Sequence, residues 1–216
     1  ENAGNNVLIG ILSTTDEDAG DAHDYAFASG DGDNDNTLFT LRNNGELFAI
    51  ENFDFEAKKT YSVRLSTEDS GSKMFFKVLQ ISVNDINEAP SEISLSVSVV
   101  DENNAINTVI GTFSSTDQDA GDSHTYSFTS GTGDEDNDSF KVNDNGELLT
   151  GESFDFEQQS AYSIRVTSTD VAGATFASPF TITINDVNVL PELSNVQDIT
   201  IEEGETVRIE PHVTDL

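Results

Sequence analysis

Apolar residues along this chain recur at every second position in short runs broken by turn residues, and no segment holds a helical apolar period over three turns. The first apolar run spans 7–12. Tyr25 and Phe27 alternate with small residues, as in a half-buried strand, and Phe39 with Leu41 predicts another. Asn44-Gly45 is a hairpin turn signal, after which Leu47 and Ala49 begin the return strand. Tyr61, Val63 and Leu65 point one way while Ser62, Arg64 and Ser66 point the other. Leu79, Ile81 and Val83 close the set.

The same order then starts again. Residues 1–90 align without a gap on residues 102–191, an offset of 101, with 41 of 90 positions identical. The second copy has an opening strand that the first lacks, in which Ile93, Leu95, Val97 and Val99 alternate with Ser94, Ser96 and Ser98. About seven short strands in the 101 residues of the second copy, six of them matched in the first, predict an all-β chain of tandem Greek-key, immunoglobulin-like seven-stranded β-sandwiches. The expected division is repeat 1 over 1–90 without its first strand, repeat 2 over 91–190, and the N-terminal part of a third repeat over 191–216. In that last part Ile199, Ile201, Val207 and Ile209 read as two strands around Glu202-Glu203-Gly204. Such a tail is too short to bury a core, and it could add as an edge strand to the open first repeat of a neighbouring molecule.

Composition narrows the chemistry. Forty-one acids against nine bases give a formal charge of −32, which argues against nucleic acid as a partner because phosphate binding needs Lys and Arg. Cysteine is absent, so neither a disulfide nor thiol chemistry supports this stretch. No apolar run has the ~18 residues of a membrane span. The acids do not scatter as a solvating surface would. They bunch at 16–24, 31–35, 54–56, 85–88, 117–122, 134–138 and 155–157.

Five acidic motifs recur in both copies, at strand ends. They are Glu1 and Glu102, Asp16-x-Asp18 and Asp117-x-Asp119, Asp54-x-Glu56 and Asp155-x-Glu157, Asp69 and Asp170, and Asp85-x-Asn87 and Asp186-x-Asn188. Alternating strand direction puts Glu1, the Asp54 motif and the linker at one end of a sandwich, and the Asp16 motif with Asp69 at the other. Stacking copy one on copy two would then unite Glu1, Asp54, Glu56, Asp85, Asn87 and Glu88 with Asp117, Asp119 and Asp170. Such a pocket repels itself without a cation. Ca²⁺ takes 6–8 oxygens in irregular geometry, Mg²⁺ wants a tighter octahedron, and Zn²⁺ would want His or Cys.

At these residues the chain resembles tandem cadherin repeats, of the kind found in large bacterial surface and secreted proteins. The motifs that carry the likeness are Glu102-Asn103, Asp117-Gln118-Asp119, Phe53-Asp54-Phe55-Glu56, Ser168-Thr169-Asp170 and the linker Asp85-Ile86-Asn87-Glu88-Ala89-Pro90. It covers residues 1 to about 191. The family binds calcium between successive domains, and that becomes the implied role of the matching residues. Two departures matter. The first linker is one residue shorter than the family pattern, with Glu88 in place of an Asp-Asn pair. The second linker, Asp186-Val187-Asn188-Val189-Leu190-Pro191, lacks that acid, so its junction should bind fewer or weaker ions, with third-repeat ligands ending at Asp215. The wording of 201–207 looks more like an immunoglobulin-like surface repeat.

Other acids and aromatics have plainer readings. Asp31-x-Asp33-x-Asp35 has the spacing of an EF-hand start, but Asn36 stands where that loop needs Gly and Arg42 where it needs Glu, so a polar turn is expected. His23 and His124 fill equivalent slots, which favours packing or hydrogen bonding over catalysis. Phe53 and its twin are expected to plug the sandwich base. No enzyme is expected, since every carboxylate pair recurs in both copies without a cleft. The reading is therefore an extracellular, calcium-rigidified spacer or adhesion segment of a cell-surface or secreted protein. Its partners would be neighbouring repeats of the same chain, with surface glycans or another adhesin beyond them. The alternative is a carbohydrate-binding accessory module of a secreted polysaccharide-degrading protein, which would need exposed aromatics on one sheet face.

Overall fold

The computed structural model describes residues 1–18, 20–188 and 202–204. The strands expected over 191–216, and Asp215, lie outside the described residues, apart from the turn at 202–204. The chain divides into two units, Glu1–Asn87 and Glu88–Leu216.

The first unit carries β1 (Val7–Ile11), β2 (Asp24–Phe27), β3 (Phe39–Leu41), β4 (Glu46–Ala49), β5 (Thr60–Glu68) and β6 (Met74–Ser82). They form two three-stranded sheets, ordered β1-β4-β3 and β2-β5-β6. The second unit carries β7 (Glu92–Leu95), β8 (Val99–Asp101), β9 (Val109–Thr116), β10 (Thr125–Phe128), β11 (Phe140–Val142), β12 (Glu147–Thr150), β13 (Ala161–Thr169) and β14 (Thr175–Asn185). Its sheets have four strands each, β11-β12-β9-β7 and β10-β13-β14-β8. All pairings are antiparallel except β8 on β14. This is the two-sheet arrangement of an immunoglobulin-like sandwich.

The opening run of the second unit differs from a single alternating strand. It divides into β7, which pairs with β9, and β8, which pairs parallel with β14 in the other sheet. The crossing passes over Gly111, where an added Cβ would stand 2.5 Å from the Val97 carbonyl oxygen and 2.8 Å from its nitrogen. Only a residue without a side chain lets the backbone pass that close.

Period-two alternation places the cores. In the second unit Leu148, Ile164, Val166 and Ile182 are fully buried, with Phe154 stacked among Phe140 and Tyr162. In the first, Val63, Leu65, Leu47 and Phe39 form the centre, and Phe53 stacks on Tyr61 with centroids 4.2 Å apart. The Asn-Gly hairpins join β3 to β4 and β11 to β12, with Gly45 and Gly146 at φ +81° and +74°.

The acidic loops at 31–36 and 134–137 pin a neighbouring strand. β2 covers only Leu65–Glu68 of its neighbour, which leaves the start of β5 without a strand on that side. Loop side chains take its place. The Ser62 N–H donates to Asp35 Oδ2 at 2.7 Å and the Arg64 N–H to Asn36 Oδ1 at 2.9 Å. Asp136 and Asn137 do the same for Ser163 and Arg165. Lys58 also donates to Asp35, and Gln159 takes its place at Asp136.

Burial alone would raise the Asp35 carboxyl, but the Lys58 ammonium and the Ser62 N–H outweigh it and hold it below the ordinary carboxylate range. Its stabilising contribution is thus present above the unfolded value of about 4 and lost as pH falls through the lower folded value. Asp35→Asn should destabilise the first unit by about 1–3 kcal/mol near neutrality. That penalty should shrink on acidification, as urea denaturation at a series of pH values will read.

Candidate metal centres

Each unit gathers carboxylates at two places. In the second unit Asp170 follows the end of β13 and Asp186 the end of β14. Those strands are antiparallel, with Ala161 opposite Thr183, so the two acids lie at opposite ends of one sheet. The group at the Asp186 end is Glu102, Glu157 and Asp186, and the one at the Asp170 end is Asp117, Asp122 and Asp170. The first unit repeats both, as Glu1, Glu56 and Asp85 and as Asp16, Asp21 and Asp69. Within every group, one ligand atom per residue lies within 4.8 Å of the others.

Taking the Asp186 end and its Asp85 counterpart as lower and the Asp170 end and its Asp69 counterpart as upper, one glutamate organises each lower group. Glu1 accepts from the Phe55 N–H at 2.6 Å and the Ile86 N–H at 2.7 Å, one on each carboxylate oxygen, and those two bonds hold its carboxyl below its ordinary value. Glu102 is buried and accepts from the Phe156 N–H at 3.1 Å and the Val187 N–H at 2.8 Å. It thereby brings the Asp155-x-Glu157 turn and the Asp186 linker to one point. Glu157 bears the cost of that convergence. Its own backbone N–H pulls its carboxyl down, yet desolvation and the charges of Glu102, Asp186 and Asp155 push it above the ordinary range.

The upper groups are built on a turn. Asp117 Oδ1 accepts the Asp119 N–H at 3.2 Å, and its Oδ2 meets His124 Nε2 at 2.8 Å. Asp16, with Asp18 and His23, matches this, and the Asp18 N–H followed by the His23 ring lowers its carboxyl. Both histidines are thus hydrogen-bonding partners of an aspartate. Asp170 Oδ1 takes the Gly173 and Ala174 N–H groups, and Asp69 Oδ1 takes that of Lys73. Asp119 Oδ2 accepts the Glu88 N–H at 2.8 Å, which fastens the start of the second unit to its own upper loop.

Not every residue expected at a site joins one. Asp54 and Asp155 are engaged in their own turns, accepting the Ala57 and Gln158 N–H groups. Asp18 and Asp119 flank the upper groups rather than entering them. Asn87 and Asn188 lie in the linkers, and their amide oxygens are a different donor type from the grouped carboxylates. Asp21 and Asp122 enter without having been singled out. The signal for them was available, since both stand five residues after the first Asp of the motif in both copies.

The donor set suits a hard dication. All twelve grouped residues are carboxylates, and Asp122 Oδ2 is buried with no hydrogen-bond partner. A buried carboxylate oxygen left so is costly unless something positive faces it. Ca²⁺ accepts such oxygen ligands in loop geometry.

Residues 96–187 match the family model described as Cadherin domain. The chain carries cadherin-like repeats. It is 29% identical over 188 residues to human Protocadherin Fat 1, which covers 84% of this chain, and 31% identical over 163 residues to Protocadherin gamma-A9 of Pan troglodytes, which covers 71%. It spans 4% and 17% of those proteins' lengths. Among solved structures, the Protocadherin GammaB4 extracellular domain superposes with a TM-score of 0.66 at 26% identity, over 91% of this chain and 32% of that one. Human Protocadherin-24 EC1-2 gives 0.68 at 18% identity, over 87% and 92%, a likeness of fold. Cadherin domains are extracellular, non-enzymatic adhesion modules that bind Ca²⁺ between repeats. Among the described residues of this cadherin-like chain, no helix is long and apolar enough to cross a membrane.

The raised Glu157 carboxyl gives a sign to test. In chelator, the second unit should lose stability as pH rises from the unfolded carboxylate value, about 4.3, through the higher folded one. Glu157→Gln should abolish that loss, so the metal-free variant should melt at or above the wild type at neutral pH. Thermal melts in chelator across this pH range check it.

Proposed function

We propose that this chain is a calcium-rigidified spacer and adhesion segment of a large surface or secreted protein, of the bacterial kind its repeat pattern resembles. Ca²⁺ would be held where one repeat follows the next. Glu1, Asp54, Glu56, Asp85, Asn87 and Glu88 would supply oxygens from the first repeat and linker, and Asp117, Asp119 and Asp170 from the second, with Asp122 added to them. The observation that carries this reading is the pair of three-carboxylate groups at opposite ends of the second unit's sheet, matched group for group in the first. Opposite ends are where a repeating chain needs ligands if each ion is to be shared by neighbours.

The chain's own residues would then act through charge. Without a dication, clustered carboxylates repel and hold the linker mobile. With one, the same oxygens become a common ligand set and the linker takes one angle. The Asp186 end, with Glu102, Glu157 and Asn188, would serve the next repeat more weakly because Val189 stands where Glu88 stands in the first linker. Calcium modules outside cells work at about 10⁻⁴–10⁻³ M, so millimolar calcium would suffice.

The sugar-binding alternative gains nothing from the aromatics. The exposed rings of the first unit, Phe75 and Phe76, are consecutive on β6 and so face opposite sides of their sheet.

Small-angle scattering and calorimetry test the proposal. The chain in chelator should show a broad distance distribution that sharpens and lengthens on adding millimolar Ca²⁺. Asp85→Ala should weaken Ca²⁺ binding about tenfold or more while leaving the circular dichroism of both units unchanged. An identical maximum dimension with and without chelator, or no heat of Ca²⁺ binding, would overturn the reading.

A further inference from the structure

The two units differ in the outer face of one sheet. In the first unit's β2-β5-β6 sheet, Arg64 stands opposite Val78, Ser66 opposite Phe76 and Glu68 opposite Met74. Strand alternation puts these six on the side turned away from the core of Tyr61, Val63 and Leu65. Two contacts fit that placement. The Arg64 guanidinium lies 5.3 Å over the Phe76 ring, and the Val78 side chain rests against Gly32, where an added Cβ would meet it at 2.7 Å. Met74, Phe76 and Val78 are 54%, 45% and 37% exposed.

The second unit keeps the arginine, as Arg165, and none of the rest. Glu68, Met74, Phe76 and Val78 have Thr169, Thr175, Ala177 and Pro179 as their counterparts. The opening segment of a repeat does not reach this face. In the second unit β7 pairs with β9 and β8 with Thr183–Asn185, and Thr175 and Pro179 stay exposed. The apolar strip is therefore a property of the β2-β5-β6 face itself. Three exposed apolar side chains in a row on one strand need a cover of some kind.

The face is complementary to itself. Arg64 and Glu68 lie two pairs apart on β5, one on each side of Ser66, and Val78 and Met74 flank Phe76 in the same way on β6. A two-fold axis lying between two such faces, across the strands along the Ser66–Phe76 row, sets Arg64 of one copy on Glu68 of the other. It also sets Val78 on Met74 and Phe76 on Phe76. That is what an isologous contact requires. Charge favours the same region. Six of the chain's nine bases lie within residues 42–77, so two copies of a −32 chain meet least repulsion here.

We propose that the outer face of β2-β5-β6 is a two-fold contact between two copies of this chain, closed by Phe76 at its centre and by an Arg64–Glu68 pair on each side of it. The contact uses none of the grouped carboxylates, so it forms with or without calcium. Three partly exposed side chains and two ion pairs fall short of the about 800 Å² per partner that a stable dimer buries. The pairing is accordingly weak and reversible, with a dissociation constant on the order of 10⁻⁴ M.

Sedimentation equilibrium of the 216-residue chain in chelator, at physiological ionic strength and up to about 1 mM protein, tests it. The expected result is a monomer–dimer equilibrium. Phe76→Ala should weaken it about tenfold or more without altering the melt, because Ala177 fills that place in the second unit. Arg64→Glu and Glu68→Arg should each weaken it about fivefold, by facing like charges across the axis. Mixed in equal amounts, those two variants should pair as well as the wild type or better, since every charge then meets its opposite. Should Arg64→Glu lower the melt, Glu68→Thr takes its place as the charge variant and should weaken the dimer about threefold. A chain that stays monomeric throughout, a dimer that Phe76→Ala leaves untouched, or folded charge variants that pair no better mixed than alone would each overturn the proposal.

Discussion

A carboxylate enclosed by backbone amides must accept from them or be protonated, and that constraint fixes the lower end of each unit. Glu102 meets it with both oxygens, one toward the turn after Phe154 and one toward the linker after β14. Three stretches distant in sequence meet at that one side chain. Glu1 does the same with Phe55 and Ile86. Once these bonds are made, Glu157 and Asp186 have no choice but to approach Glu102, whatever their mutual repulsion. The acidic group is therefore a consequence of how the sandwich end is closed, and a cation is the natural means of relieving it.

A second use of carboxylates serves the fold alone. Asp35 and Asp136 stand in for a missing strand beside β5 and β13, accepting amides that a short neighbour leaves uncovered. Their loops resemble ion-binding loops in composition, yet these acids are already engaged by backbone N–H groups and by Lys58 or Gln159. Acid count alone does not separate the two uses. Grouping does, since the grouped acids, several of which also accept backbone N–H groups, bring oxygens of three residues within 4.8 Å of one another.

Most strands were legible because their alternation is strict, as in Tyr162, Ile164 and Val166 against Ser163 and Arg165, and the hairpins because Asn-Gly admits the positive φ they need. The break between β7 and β8 was not, because Ile93 to Val99 alternates without interruption and the crossing is accommodated by Gly111, a residue of another strand. The gathering of Glu1 with Glu56 and Asp85 followed from strand direction. The turn-bound state of Asp54 did not, since spacing says nothing of which oxygen a neighbouring amide claims. Asp21 and Asp122 were visible only as members of a longer acidic run, and their side chains matter because the turn folds them back onto Asp16 and Asp117.

The parallel pairing of β8 with β14 bears on how the second unit would carry tension. Force entering the chain ahead of β8 and leaving it after β14 pulls those two strands along their length in opposite senses. The bonds joining Val99–Asp101 to Thr183–Asn185 are then loaded together in shear, instead of one after another as in peeling a hairpin. A short strand placed there, one segment in from the start of the unit, would resist such a pull as a clamp.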